Sequence, residues 1–307
     1  MGRELRLLVT NNCNFNCYFC HKEGQRNTSI ASLNSNDYEF LFKTVQKEYG
    51  FNTTTITGGE PLLRKDILEI CKKIFFEGGK ITIVSNGYNL SENLLIGNYI
   101  NTANISFHTL DGVKFQEIVQ KPNPLHKIIY GLQRFREMYP NVNVCLNVAV
   151  VDGINSSEKE FMDIVKFATS INANVKAIQL YPDNCDGYVP ITQIEKYLLK
   201  NNFVPFHSPT RKQNYTNGDI NVGLTKIFCS YIKNAEKPVD YCKNENDIFV
   251  SPNGRIYYCR EDDSYIDVYD AIKSQNKSML IQGVQNALNM FGENCKHHLN
   301  ERKKSDE

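Results

Sequence analysis

Three cysteines stand within eight positions of the stretch TNNCNFNCYFCHKEG (10–24): Cys13, Cys17 and Cys20, spaced C-x3-C-x2-C. Thiols gathered in one loop point to a soft-metal centre. A structural zinc site is closed by four ligands, often drawn from C-x2-C pairs. Here there are three, unevenly spaced, and His21 follows Cys20 too directly to complete a tetrahedron. A [4Fe-4S] cluster is held by cysteine thiolates, and three of them leave one iron open to a further ligand. Core cysteines scattered by chance are the plain alternative, and the clustering argues against it.

A second set lies far along the chain: Cys229, Cys242, Cys259 and Cys295. A structural zinc site is the simpler assignment. The sharper one is a second iron–sulfur site, with Cys295 as fourth ligand or bystander and His297 or His298 in reserve. Cys71, on the apolar face of a helical stretch, and Cys145, in a strand, read as core residues. Cys185 reads as a loop cysteine.

The elements that must position these residues alternate. Strands are expected over 5–10, 53–57, 80–87, 104–109, 143–151 and 176–182, and helices over 35–50, 65–79, 91–100, 124–140 and 156–171. Ser35 or Asn36 is expected to cap the first helix and Gly50 to stop it. Strands alternating with helices imply right-handed βαβ units and a parallel sheet. A doubly wound sheet competes here with a partial or complete β/α barrel; the expected fold class is α/β, a partial (β/α)6 barrel over 1–190 followed by a small C-terminal domain with a β-hairpin over 191–307. In such barrels chemistry collects at the C-terminal ends of the strands. The polar motifs here follow that rule: the cysteines, then GGEP, SNG, FHTLD, Asn147 and QLYPDNCDG. Beyond residue 190, 211–223 reads as a polar loop and 246–259 as a β-hairpin turning at PNG.

Composition excludes several classes. The chain has 307 residues, 41% of them hydrophobic, and a net charge of +1. That balance gives no field for nucleic acid or a membrane surface, and no apolar run is long enough to span a bilayer. Ten cysteines without a secretory leader point to a reducing, cytoplasmic compartment.

These motifs together resemble the radical S-adenosylmethionine (SAM) superfamily. The resemblance implies that Cys13, Cys17 and Cys20 hold a [4Fe-4S] cluster and that Phe19 packs on the adenine of SAM. Gly58, Gly59, Glu60 and Pro61 would receive the methionine amino group. Ser85, Asn86, Ser106, His108 and Asn147 would line the rest of the cosubstrate, together with 150–155. It implies further that the reduced cluster passes one electron to SAM, and that the resulting 5′-deoxyadenosyl radical abstracts hydrogen from a substrate. An electron donor such as flavodoxin or ferredoxin would be the partner. The order of parts over 3–182 is similar to the GTP 3′,8-cyclase-like branch, and more broadly to enzymes with a twitch or SPASM auxiliary-cluster domain. On that resemblance Cys229, Cys242, Cys259 and Cys295 would hold a second [4Fe-4S] cluster. The chain departs from the cyclases in two places: Cys229 and Cys242 stand far apart, and KNENDIFV lacks the nucleotide-binding arginines. A small-molecule or peptide natural-product precursor is therefore the expected substrate, with GTP cyclisation in molybdenum-cofactor biosynthesis as the alternative. Lys22, Arg26, Arg64, Arg211 and Lys212 are the cations left for a triphosphate, and Tyr181, Asp183, Cys185 and His108 are candidates at the mouth. A non-catalytic iron–sulfur carrier needs no SAM pocket, which sets GGEP and SNG against it; a zinc-stabilised binding module would be told apart by its metal.

Overall fold

β-Branched and aliphatic runs define the strands, and asparagine and glycine punctuate them. The computed structural model describes residues 4–20, 32–180, 187–207, 212–225, 247–257 and 264–290. In chain order the strands are β1 (Leu5–Thr10), β2 (Thr53–Gly58), β3 (Lys80–Ser85), β4 (Thr102–Ser106), β5 (Asn143–Val150) and β6 (Asn174–Gln179). β7 (Val204–Phe206), β8 (Gln213–Thr216), β9 (Asn221–Thr225), β10 (Ile248–Val250), β11 (Arg255–Tyr257) and β12 (Tyr265–Asp267) follow. The helices are α1 (Ser35–Tyr49), α2 (Ile67–Phe76), α3 (Gly112–Val119), α4 (Leu125–Met138), α5 (Glu158–Ser170), α6 (Ile191–Lys200), α7 (Tyr269–Lys273) and α8 (Lys277–Asn289).

The described residues divide into two compact units. One comprises 4–13, 32–83, 247–257 and 264–290, and the other 14–20, 84–180, 187–207 and 212–225. In the first, β10, β1, β2 and β3 run parallel, and β11 and β12 continue from β10 as antiparallel neighbours. α1 lies against α2 and α8, and Tyr49 Oη donates to Ile281 O at 2.9 Å. In the second, β4, β5, β6 and β9 are parallel, with β8 and β7 antiparallel beyond β9. Each unit thus presents the C-terminal ends of several parallel strands, where loops can carry function. No helix among the described residues is long and apolar enough to cross a membrane.

All six expected strands are present, and the hairpin expected over 246–259 is β10 and β11. Three local expectations need correction. The cap of α1 is Asn34: its side chain accepts from Asn36 N and Asp37 N, while Asp37 returns a bond to Asn34 N, closing a capping box. Residues 91–100 form two 3₁₀ turns, Leu90–Glu92 and Leu94–Asn98, in place of a helix. Asn93 and Asn98 spend their amides on nearby carbonyls, Asn89 O and Leu95 O, which offers the backbone an alternative to helical bonding. The stretch 211–223 is mostly a hairpin of β8 and β9, turned by Asn217, whose Oδ1 accepts from Asp219 N and Ile220 N. Its polar composition hid it because β8 lies near the sheet margin, where one face needs no apolar cover.

One cation knits the first unit together. Arg64 Nε donates to Asp66 Oδ1 and Nη1 to Val9 O, each at 2.6 Å; Nη2 donates to Leu33 O. The guanidinium also lies over the Tyr38 ring, 5.2 Å from its centroid. Arg64 is therefore a structural residue here, not the triphosphate contact considered from the sequence. Removing it strands two buried carbonyls, each costing about 1–3 kcal/mol. Arg64→Met is expected to lower unfolding free energy by roughly 3 kcal/mol, read as an earlier midpoint in urea denaturation.

Candidate functional site

In the first unit the site begins where β1 ends. Thr10–Asn12 lies directly against Gly58–Glu60 at the end of β2: Gly59 N donates to Thr10 O, and Glu60 N to Asn12 O, each at 2.7 Å. A Cβ on Gly59 would fall 2.2 Å from Asn12 O, and Gly58 adopts φ +130° beside Thr10. The glycine pair is thus required by the approach of the thiol loop itself. Glu60 is buried at 1% exposure and its Oε1 accepts from Leu62 N, capping the turn Pro61–Leu63. Cys13 follows at once and is exposed.

In the second unit Cys20 N donates to Cys17 O at 3.0 Å, a turn that holds the half-buried Cys17 and the exposed Cys20 on one short bend. Phe19, between them in sequence, meets His108 edge-on with centroids 5.1 Å apart. It also packs on an apolar cluster of Ala149, Val151 and Leu180, with Ile154 alongside. This is an aromatic wall of the sort a planar heterocycle needs. His108 is buried, and burial lowers its pKa from 6.5 to about 4, so the imidazole is neutral. Its Nδ1 accepts from Ala149 N at 3.3 Å, which leaves the proton on Nε2.

Asn155, fully buried, locks this wall. Its Nδ2 donates to His108 O at 2.7 Å and to Ala149 O at 2.8 Å, and its Oδ1 accepts from Val151 N at 2.8 Å. Nearby, Ser106 and Asn147 face each other in register on β4 and β5. Asn147 Oδ1 is buried and has no hydrogen-bond partner among the described residues, so it suits a polar ligand. Ser85 Oγ accepts from Gly87 N and Asn86 Oδ1 from Tyr88 N, so the loop after β3 is shaped by its own side chains.

Cys229, Cys242, Cys259 and Cys295 lie outside the described residues, as do Lys22, Arg26, Arg211, Tyr181, Asp183, Cys185, His297 and His298. Cys71 is a core residue whose thiol is pushed up to about 12 by burial, and Cys145 is half-buried in β5. Lys212 lies beside Gly223 of β9. Among the described residues no three Cys, His, Asp or Glu side chains are drawn into a closed metal cage. What fits an iron–sulfur cluster is the donor set: three thiols, none in a disulfide, on one loop launched from the end of β1. What fits SAM is the aromatic wall, the neutral His108 and the orphaned Asn147 oxygen. Sequence reading missed the locking role of Asn155, whose only signal was its place in VVDGIN.

Comparison with known proteins bears on this arrangement. The radical SAM superfamily profile matches residues 7–168. A Pyrobaculum aerophilum protein named "Probable GTP 3′,8-cyclase" is 30% identical over 295 residues, covering 93% of each chain. One from Sulfolobus acidocaldarius is 31% identical, covering 89% of this chain and 87% of its own. Among solved structures, Streptococcus suis SuiB bound to S-adenosylmethionine superposes with TM-score 0.65 at 15% identity. That match covers 88% of this chain and 64% of SuiB, so the chain spans less than two thirds of that protein. anSMEcpe with bound AdoMet superposes with TM-score 0.58 at 12% identity, covering 94% of this chain and 82% of its own. At such identity these structures speak for the α/β fold with its parallel strands.

Two outcomes follow from the site. Gly59→Ala must push Asn12 aside, a strain of about 1–3 kcal/mol; iron bound per chain after anaerobic reconstitution is expected to fall well below the wild-type value. For His108, the unfolded chain takes a proton near pH 6.5 while the folded chain resists until about pH 4. Stability therefore drops as pH falls through that window, by about 3 kcal/mol in total. His108→Asn keeps an acceptor for Ala149 N and is expected to flatten this loss in urea melts between pH 7 and pH 4.

Proposed function

The chain belongs to the radical SAM superfamily, and from that premise we propose that it is a GTP 3′,8-cyclase-type enzyme that uses SAM to make a radical on a purine nucleotide. One observation carries the choice of substrate: likeness to the archaeal cyclases extends over 93% of both chains in the first comparison. Enzyme character, a [4Fe-4S] cluster, SAM, a substrate and a reductant are common to the superfamily. When bound, the reduced cluster supplies the electron that splits SAM into methionine and a 5′-deoxyadenosyl radical.

The chain's own residues have separable tasks in this reading. Cys13, Cys17 and Cys20 would hold the cluster. Phe19 and the Ala149–Val151–Leu180 cluster would cover the adenine and exclude water. His108, held neutral, adds no positive charge beside a cationic sulfonium, and its Nε2 proton remains available to a polar group of the cosubstrate. Asn147 Oδ1 would accept from the cosubstrate, filling the bond it lacks. Gly58–Glu60 would receive the methionine amino group. A second cluster on Cys229, Cys242, Cys259 and Cys295, carried by the C-terminal stretch 191–307, would serve the substrate in a cytoplasmic setting.

A second reading, a small-molecule or peptide precursor as substrate, is favoured by the wide Cys229–Cys242 spacing and the absence of arginine in KNENDIFV. A triphosphate wants several cationic partners, and Arg64 is spent on the fold. The deciding assay is release of 5′-deoxyadenosine by reconstituted protein with dithionite and SAM, with and without GTP. The cyclase reading expects GTP to raise the rate and to yield a 3′,8-cyclised nucleotide, and expects Cys13→Ala/Cys17→Ala/Cys20→Ala to abolish both. SAM cleavage that ignores GTP would remove the nucleotide and leave the second reading. In wild type, iron and sulfide for two four-iron clusters, of which the triple variant keeps one, is the result expected for an auxiliary cluster.

A further inference from the structure

The segment Cys13–Cys17 reads C-N-F-N-C, and each of the three residues between the thiols is tied down. Asn86 Nδ2 donates to Asn14 Oδ1 at 2.7 Å, Asn14 Nδ2 donates to Asn89 Oδ1 at 3.0 Å, and Asn89 Nδ2 donates to Glu92 Oε2 at 2.7 Å. The three amides point one way and end on a carboxylate, which Lys127 Nζ holds from its other oxygen at 2.6 Å. Phe15 is buried and meets Tyr88 edge-on, centroids 5.8 Å apart. Asn16 donates its backbone N–H to Val119 O at 3.0 Å and its Nδ2 to Gln120 Oε1. Gln120 is the left-handed cap that ends α3, with φ 52°.

Asn14 is therefore the middle of an amide relay. On one side stands Asn86, in the loop after β3 that the site assigns to the cosubstrate. On the other stand Asn89 and the anchored Glu92–Lys127 pair. Asn86 Oδ1 is engaged by Tyr88 N, so its Nδ2 bond to Asn14 fixes which way the amide faces. A ladder in which every amide both donates and accepts is stiffer than its separate bonds, and reacting groups lose much of their rate when displaced by about 1 Å.

We propose that Asn14 is a positioning residue that couples the Ser85–Asn86–Gly87 loop to the thiol loop, so that the cosubstrate and the ligands of the cluster share one frame. The inference rests on the reading of Cys13, Cys17 and Cys20 as cluster ligands and of the β3 loop as a SAM contact. Asn16 holds the same loop from α3, and Phe15 packs on Tyr88; Asn14 ties it to the β3 loop by directed side-chain hydrogen bonds.

The test uses the reconstituted full chain and two variants. Asn14→Leu removes both ladder bonds. Asn14→Asp keeps an acceptor for Asn86 and loses the donor to Asn89. Iron and sulfide per chain, the electron paramagnetic resonance spectrum of the reduced protein titrated with SAM, and KM and kcat for 5′-deoxyadenosine release are measured on each. Both variants are expected to keep wild-type iron. Asn14→Leu is expected to need about tenfold more SAM to change the spectrum, with KM rising in parallel and kcat at saturation little altered, and Asn14→Asp to fall between. Variants that titrate with SAM as wild type does would overturn the proposal. So would loss of iron in both, because Asn14 would then serve assembly of the loop. Wild-type protein whose reduced spectrum ignores SAM would instead sink the underlying assignment of the site, before any variant is compared.

Discussion

The candidate site depends on how closely two pieces of backbone approach, Thr10–Asn12 after β1 and Gly58–Glu60 after β2. Two 2.7 Å hydrogen bonds and the space of an absent Cβ hold them together. The register between β1 and β2 slips between Leu8 and Thr10, at the point where the two strand ends turn into this contact. The thiol loop therefore leaves the sheet from a fixed origin. Arg64 braces the same region by holding Val9 O and Leu33 O while pairing with Asp66. A lysine has neither the planar fork nor the number of donors to do this.

Amides, with few charges, organise the second unit. Asn155 joins the ends of β4 and β5 through three bonds, and Asn14, Asn86 and Asn89 join the thiol loop to the loop after β3. An amide donates and accepts without carrying net charge, so it can be buried at small cost when satisfied. The result is a well-bonded, nearly neutral wall, with His108 uncharged by burial. Charge is kept to the margins, where Lys127 pairs with Glu92 and Lys114 with Glu160.

This division of labour bears on substrate as well as cosubstrate. The α/β fold is shared with SuiB and anSMEcpe at only 15% and 12% identity, and a fold does not by itself fix a substrate.

The alternation of strands and helices was legible in the sequence because hydrophobic periodicity is local, and so was the thiol motif, because its spacing lies within one loop. GGEP was legible as a glycine-dependent turn, but the neighbour demanding glycine was not: Asn12 lies far from Gly59 in sequence and touches it only through the β1–β2 pairing. The hairpin of β8 and β9 was hidden because β8 buries only Tyr215 while Val222, Gly223 and Leu224 of β9 are buried in succession, so neither strand alternates. Residues 90–98 kept a helical composition while their asparagine side chains took the carbonyls. Asn14 looked like an ordinary loop asparagine, and Asn155 was marked only as part of 150–155, with nothing to show what it binds. An amide shows nothing of its partners in sequence, since a hydrogen bond is fixed by distance and direction, and only the folded chain brought Asn86 to Asn14 and His108 O to Asn155.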